Sequence, residues 1–358
     1  MAPGSPFSMS SVPLDRREKR GIVEKRISVI GAGVAGLTAA YEFVRAGCAV
    51  TIHERAAEPG RGCSFYAGGM IAPWCEAEAS EPVVVELGLE ALHYWRETVP
   101  VALRNGSLLV APARDLPELG RFGRRTSHFE AIDADAIAAL EPDLAGRFSR
   151  ALYFAEEAHL DPRAAVAELR KRLEAAPLAT FRFGTEVDEP EGDWIIDCRG
   201  YAARDRLPDL RGVKGEMVVL ETRDIAFSRP IQLIHPRNPV YIVPRGDGRF
   251  MVGATMIENA ERGRVRARAL LDLIGAAYTV HPAFGEAEIV EIGCDLRPAF
   301  PDNLPRIRRH GHRLFINGLF RHGFLLAPAL AVRARRMVLD GAHFPEVSDA
   351  DPGQRKTA

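Results

Sequence analysis

The chain has 358 residues, 47% of them hydrophobic and 27% charged, and a net charge of -1 at pH 7. That is the composition of a soluble globular protein of about two domains, with no basic face for nucleic acid or an anionic membrane surface. No apolar run reaches the roughly 18 residues of a membrane span, and the five cysteines lack Cys-x-x-Cys spacing, which suits a reducing cytoplasm and argues against a disulfide framework or zinc site.

Residues 1–23 are polar, carry the charged run 15–20 and have no apolar h-region, so a secretory signal is excluded and a disordered tail is expected. The apolar, β-branched run 27–30 predicts a buried parallel strand. Gly31, Gly33 and Gly36 follow as Gly-x-Gly-x-x-Gly, then a helix over 35–46 closed by Gly47, a strand over 49–52, and Glu54. Each part suits a dinucleotide. Gly31 permits the tight turn, Gly33 lets a pyrophosphate approach the backbone, and Gly36 lets the helix pack on the sheet. The helix N-terminus offers free N–H groups to phosphate, and Glu54 can accept hydrogen bonds from ribose hydroxyls.

Residues 55–76 are dense in glycine and small side chains, as backbone running close to a flat ligand must be. A helix is expected over 82–98 with Val85, Leu89, Leu92 and Trp95 on one face, and strands over 106–111 and 151–154. Asp133 caps a short helix to Leu140, and Asp161 with Pro162 opens another to about Leu173. Short strands are expected over 181–183 and 186–187. A buried strand over 194–197 ends in Cys198-Arg199-Gly200, at the sheet edge where α/β folds bind ligands.

Strand patterns recur over 215–220, 231–234, 240–244 and 250–253, the last two joined by the turn Gly246-Asp247-Gly248. Tyr241 and Val243 then share one face, while Arg245 and Arg249 fall on the hairpin surface. A helix over 264–278, strands over 289–296 and 314–317 and a helix over about 327–339 complete the chain. Parallel α/β pieces at the start, middle and end, with antiparallel pieces between, predict two interleaved, discontinuous domains.

Four segments now carry a resemblance: 29–47 with Glu54; Gly62-Cys63-Ser64-Phe65-Tyr66-Ala67-Gly68-Gly69-Met70-Ile71-Ala72-Pro73; 240–256; and 296–307 with 316–331. The chain resembles the flavin-dependent amine and amino-acid oxidoreductases of the D-amino-acid oxidase superfamily, most closely the glycine oxidase branch. The resemblance implies an α/β (α+β) fold, with a Rossmann-type FAD-binding domain (24–80, 145–214, 290–345) interleaved with an antiparallel-sheet substrate domain (81–144, 215–289), and a flexible tail over 346–358. It implies non-covalent FAD against Gly31, Gly33, Val34, Ala35, Gly36, Glu54, Arg55, Arg61, Gly62, Cys63, Ser64, Ala67, Gly68, Gly69, Met70 and Gly200. The closing turn would add Gly318, Leu319, Arg321, His322, Gly323, Phe324 and Leu325, unless its glycines only shape a helix entry.

The resemblance also gives Arg297 the substrate carboxylate, which a planar guanidinium fork matches; the alternative is an ion pair with Asp295 or Asp302. It places the Tyr241 hydroxyl over the flavin; the alternative is a core ring. Arg321 would shape the far side, and His322 is either a base or a hydrogen-bonded turn residue. The sequence departs from the branch at Pro239, where a His is expected, and in the turn Gly318-Leu319-Phe320-Arg321-His322-Gly323, which puts glycine itself in doubt as substrate. Tyr66 stands where some relatives attach FAD through His, and Cys63 is read as a small residue under the ring.

The implied reaction is oxidation of a small amino acid or secondary amine by hydride loss to the flavin, with oxygen as acceptor and peroxide as product. A dehydrogenase subunit feeding a quinone or partner protein, and a non-catalytic flavin-binding subunit, are the alternatives. Assembly into a homo-oligomer is compatible with this reading.

Overall fold

The computed structural model describes residues 25–235 and 239–349, so the expected tail over 1–23, and residues 350–358 of the one expected over 346–358, lie outside the described residues. Residues 346–349 depart from that expectation: Val347 is buried, its carbonyl accepts from the Ile307 N–H, and Asp349 pairs with Arg306 and Arg308. The alternating segments build two large sheets. A six-stranded sheet runs in the order Arg306–His310, Arg313–Asn317, Trp194–Asp197, Arg26–Ile30, Ala49–Glu54, Ala179–Phe183, parallel except for the edge pair Arg306–His310 with Arg313–Asn317. The strand Arg26–Ile30 lies between a strand that follows it closely and one that arrives much later, which opens the crevice at its carboxyl end. An eight-stranded, mainly antiparallel sheet runs Glu288–Ala299, Arg211–Glu221, Arg249–Gly253, Val240–Pro244, Ile231–Leu233, Ser107–Val110, Arg150–Phe154, Glu130–Asp133.

Sheet membership departs from the expected boundaries in two places. Arg150–Phe154 and Glu288–Ala299, grouped by the sequence with segments 145–214 and 290–345, are strands of the eight-stranded sheet. The expected strand over 186–187 is loop. The Asp133 and Asp161 caps form as read, Asp133 accepting from the Ala136 N–H and Asp161 from those of Arg163 and Ala164.

Helix Val34–Arg45 packs on helix Gly323–Asp340, which packs in turn on Pro82–His93. The buried face of Pro82–His93 is Val84, Leu87, Gly88, Ala91 and Leu92, and Leu89 is 38% exposed. Gly88 sets that face, because a Cβ there would lie 2.9 Å from both Leu325 and Pro73. The line of closest approach therefore runs through residue 88 and not through 85 and 89.

The last helix starts at Gly323, four residues before the expected position, and carries Pro328 inside it. Pro328 has no N–H for the carbonyl of Phe324. The indole Nε1 of Trp95 donates to that carbonyl at 2.8 Å. Trp95→Phe leaves a buried acceptor unpaired and is expected to cost about 1–3 kcal/mol, read as a lowered midpoint in urea unfolding with an unchanged slope.

Candidate active site

One large cavity of about 1340 Å³ runs from the carboxyl end of Arg26–Ile30, along the glycine-rich segment, to the eight-stranded sheet. It exceeds the roughly 300–1,000 Å³ of common small-molecule pockets, as a dinucleotide plus a substrate requires. At its first end the glycines do distinct work. Gly31 has φ +95°, and a Cβ there would lie 2.7 Å from the Cys198 carbonyl. A Cβ on Gly36 would lie 1.8 Å from the Gly31 carbonyl, so Gly36 is the contact between helix and strand. Gly33 is open except for Ser64 Oγ at 3.3 Å, and it faces the cavity. The Val34 N–H donates to Ser64 Oγ at 3.1 Å, and Glu54 accepts from the N–H groups of Ala32 (2.7 Å) and Ala56 (2.9 Å). A cradle that a side chain would fill, a helix N-terminus and a fixed carboxylate fit the pyrophosphate and ribose of FAD.

At the other end stands Arg297. It lies within the strand Glu288–Ala299, not after it, and opposite Arg211–Glu221. Gly215 in that neighbouring strand leaves the room for its guanidinium, since a Cβ there would lie 2.4 Å from Arg297 Cζ. Arg297 Nη1 donates to the Thr255 carbonyl at 2.8 Å, and Tyr241 lies beside the guanidinium in the same cavity. Asp295 pairs with Arg262 at 3.3 Å and Asp302 pairs with Arg306, so neither carboxylate neutralises Arg297. Among the described residues Arg297 has no ion pair. Burial holds its guanidinium below the ordinary range, with Tyr241 and Cys63 opposing. A buried cation facing a cavity without a counter-charge calls for an anionic ligand.

Tyr241 points to the same cavity. Gly68 and Gly253 make room for it: Cβ atoms there would lie 2.6 Å from its ring and 3.0 Å from its hydroxyl. Val240 and Ile242, on the opposite face, belong to the core under helix Ala267–Val280. Arg245 departs from its expected place on the surface. Its side chain is 11% exposed and donates to the carbonyls of Leu160 (2.9 Å), Ala67 (3.0 Å) and Gly68 (2.9 Å), which pins the glycine-rich segment beside Tyr241. Arg249 is on the surface, paired with Glu221.

Arg321 is half-exposed and bonds Glu76, with Nη2 at 2.8 and 2.9 Å from the two carboxylate oxygens. Glu76 closes the glycine-rich segment and was not singled out from the sequence. Its place directly after Ala72-Pro73-Trp74-Cys75 is the signal that was available. Burial pushes the Glu76 carboxyl up, but Arg321 and His322 outweigh it and hold it below the ordinary range. His322 is the N-cap of the last helix, and its Nδ1 lies 3.6 Å from Glu76. Burial pushes His322 down to about 4, with Arg321 and Arg297 adding to the effect and Glu76 opposing it. The ring is therefore neutral at pH 7. The turn carrying both residues is tied to the Arg297 strand by the Phe320 N–H, which donates to the Pro298 carbonyl at 2.9 Å, with Phe320 in the left-handed region at φ +48°.

His159 is likewise buried and pushed down to about 4 by burial and by Arg245 and Arg229, and neither ring nitrogen has a hydrogen-bond partner in the protein. Buried Glu157 moves the other way, up to about 7, through burial. The unfolded chain protonates the two histidines near 6.5, so their contribution is complete above that and is lost as pH falls towards about 4. Glu157 opposes them with one extra proton in the folded state between 4.5 and about 7. Two against one leaves a net loss on acidification, on the order of 1 kcal/mol per pH unit between about 6.5 and 4.5. The melting temperature should fall across that window, and less steeply in His159→Gln.

The structure brings the residues expected against the cofactor to this one cavity, with two exceptions: Gly36, used in packing as above, and Gly318. Gly318 (φ +75°) faces Phe300, where a Cβ would lie 2.3 Å from the ring, and so turns the chain without reaching the cavity. Cys63 and Tyr66 line the cavity, and the Tyr66 ring packs on Gly293. Burial, with Asp295 adding, pushes the Cys63 thiol up to about 12, which keeps it protonated.

A family profile described as "FAD dependent oxidoreductase" (DAO) matches residues 26–336. The chain is 53% identical over 322 residues to a "Putative thiamine biosynthesis oxidoreductase ThiO" of Rhizobium etli, covering 90% of this chain and 98% of that one. It is 25% identical over 364 residues to a "Glycine oxidase" of Bacillus licheniformis, covering 92% and 97%. In fold it is similar to the crystal structure of glycine oxidase from Geobacillus kaustophilus, with a TM-score of 0.75, 22% identity, and 89% and 96% of the two chains covered.

Proposed function

The chain belongs to the FAD dependent oxidoreductase family, and from that premise we propose that it oxidises the C–N bond of a small amino acid or secondary amine, of the glycine, N-methylglycine or D-amino-acid kind. The observation that carries this reading is Arg297, a buried guanidinium without a counter-charge at the end of the cavity opposite the dinucleotide cradle. A substrate carboxylate supplies the missing charge, and a planar fork takes it bidentately. The Tyr241 hydroxyl, beside Arg297 in the same cavity, steadies the same carboxylate.

FAD, when bound in the cradle, supplies the acceptor for the hydride lost from the substrate α-carbon. The chain's own residues do the placing. Arg297 and Tyr241 fix one end of the substrate. Arg321 and Glu76 neutralise each other on the far side, and His322 stays uncharged, so neither repels the substrate nor strips its carboxylate from Arg297. Hydride transfer depends on near-attack geometry more than on acid–base help, and the amine has to lose its proton before the hydride leaves. The imine product hydrolyses in water. With oxygen as the final acceptor, the sum is amino acid, oxygen and water giving oxo acid, hydrogen peroxide and ammonia, or a primary amine in place of ammonia when the substrate is a secondary amine. No helix among the described residues is long and apolar enough to cross a membrane.

The test is a screen of glycine, N-alkylglycines and D-amino acids with the purified holoenzyme, read by peroxide. Turnover of at least one member supports the reading, and its absence from all of them with FAD bound contradicts it. The cofactor is expected to be non-covalent, because the Cys63 thiol stays protonated and Tyr66 is the only other candidate in the segment. Acid precipitation should give a colourless pellet and FAD in the supernatant; a flavin-bearing peptide with Tyr66 or Cys63 would refute this.

A further inference from the structure

Arg297 crosses the strand Arg211–Glu221 at Gly215 to donate from Nη1 to the Thr255 carbonyl at 2.8 Å. That carbonyl is free for it because of an exchange in the backbone ladder. Residues 255–257 run antiparallel to 214–216. Lys214 and Ile257 exchange both of their backbone hydrogen bonds, at 2.9 and 3.0 Å. In a regular antiparallel pair Glu216 and Thr255, two residues further on, do the same. The Thr255 N–H does donate to the Glu216 carbonyl at 3.2 Å. The Glu216 N–H instead donates to the Thr255 hydroxyl at 3.0 Å, so a side chain stands in for the carbonyl.

The hydroxyl is itself held from behind. It lies 3.4 Å from Glu216 Oε2, to which it donates. The Glu216 side chain is buried on the face of the sheet opposite Gly215. There its Oε1 accepts from Lys214 Nζ at 2.9 Å and from the Arg266 N–H at 3.1 Å. Lys214 Nζ also donates to the Arg264 carbonyl at 2.7 Å. A buried, hydrogen-bonded ion pair on one face thus fixes a hydroxyl whose own carbonyl serves the other face.

We propose that Thr255 is a positioning residue for Arg297: its hydroxyl takes the Glu216 N–H, and the carbonyl released by this sets the rotation of the guanidinium fork that meets the substrate carboxylate. The inference rests on the reading of Arg297 as the carboxylate holder. A bidentate grip needs two parallel N–H bonds, and a fork already fixed loses less freedom on binding. Valine has the shape of threonine but offers the Glu216 N–H no acceptor. In Thr255→Val the carbonyl is drawn back into the ladder and Arg297 loses its tether.

Wild type, Thr255→Val and Thr255→Ser, each loaded with FAD, are titrated calorimetrically with glycolate, with melting temperature as a control on the fold. Thr255→Val is expected to bind glycolate about tenfold more weakly than wild type, the worth of one hydrogen bond. Thr255→Ser, which keeps the hydroxyl, is expected to bind it as wild type does. Kinetics separate positioning from damage. With an amino acid that the enzyme turns over and its decarboxylated amine, Thr255→Val should lose kcat/KM on the acid and keep it on the amine. Equal losses on both mean a structural role and overturn the inference. Glycolate binding by Thr255→Val as tight as wild type also overturns it and leaves the Arg297 reading standing. If wild type binds no glycolate, the Arg297 reading fails and this inference fails with it. Should Thr255→Val lose its FAD, Thr255→Ala takes its place with the same expected loss, and wild-type affinity there overturns the inference.

Discussion

Arg297→Ala is expected to lower kcat/KM for amino acids by roughly thirtyfold to several thousandfold, the equivalent of about 2–5 kcal/mol for truncating one partner of a desolvated charge pair. The size follows from the setting: the guanidinium is buried and has no ion pair among the described residues. Its truncation therefore removes the charge that meets the substrate without stranding a carboxylate of the protein. Arg297→Lys keeps a charge but loses the fork, and is expected to fall between wild type and Arg297→Ala. Gly215→Ala should reach a comparable loss with the charge intact, because the added Cβ would come within 2.4 Å of Arg297 Cζ. Steady-state kinetics on a matched amino acid and its decarboxylated amine separate the causes. The loss should largely vanish for the amine, which never used the fork. Equal losses on both would mean a structural defect.

Gly33→Val is expected to yield folded protein that holds no FAD. The open side of Gly33 faces the cavity, with only Ser64 Oγ nearby at 3.3 Å, so an added side chain occupies the cofactor's place more than the protein's. Gly36→Ala makes the contrast. Its Cβ would lie 1.8 Å from the Gly31 carbonyl, and the damage should appear as a lost fold. Absorbance of the purified variants and their circular dichroism distinguish the two. Gly33→Val protein that is as yellow as wild type would contradict the placing of the pyrophosphate.

The dinucleotide end was legible in the sequence because its chemistry is local. Strand, glycines, helix, strand and acid follow one another between residues 26 and 54, and each does its work on its neighbours in the chain. Arg297, Tyr241 and the turn at Arg321 entered through resemblance, since nothing in periodicity assigns them a ligand. Glu76 and Arg245 were missed or misread for a common reason. Their roles come from partners far along the chain: Arg321 for Glu76, and the carbonyls of Ala67, Gly68 and Leu160 for Arg245. The last helix was read short because Pro328 normally marks a boundary; Trp95, more than 200 residues earlier, meets the carbonyl that Pro328 leaves unpaired. Leu92 and Trp95 are buried as read, but Val85 and Leu89 were placed on the buried face because apolar side chains were counted and the packing glycine at 88 was not.

Anaerobic mixing of the FAD-loaded enzyme with glycine, N-methylglycine and D-alanine, followed by the visible absorbance of the flavin, tests the central claim most directly because it needs no electron acceptor. The expected result is loss of the yellow colour with at least one of these substrates, its return on admitting air, and neither change in Arg297→Ala at the same concentration. A flavin that stays fully oxidised with all of them, in an enzyme that still binds simple carboxylates, would contradict the account.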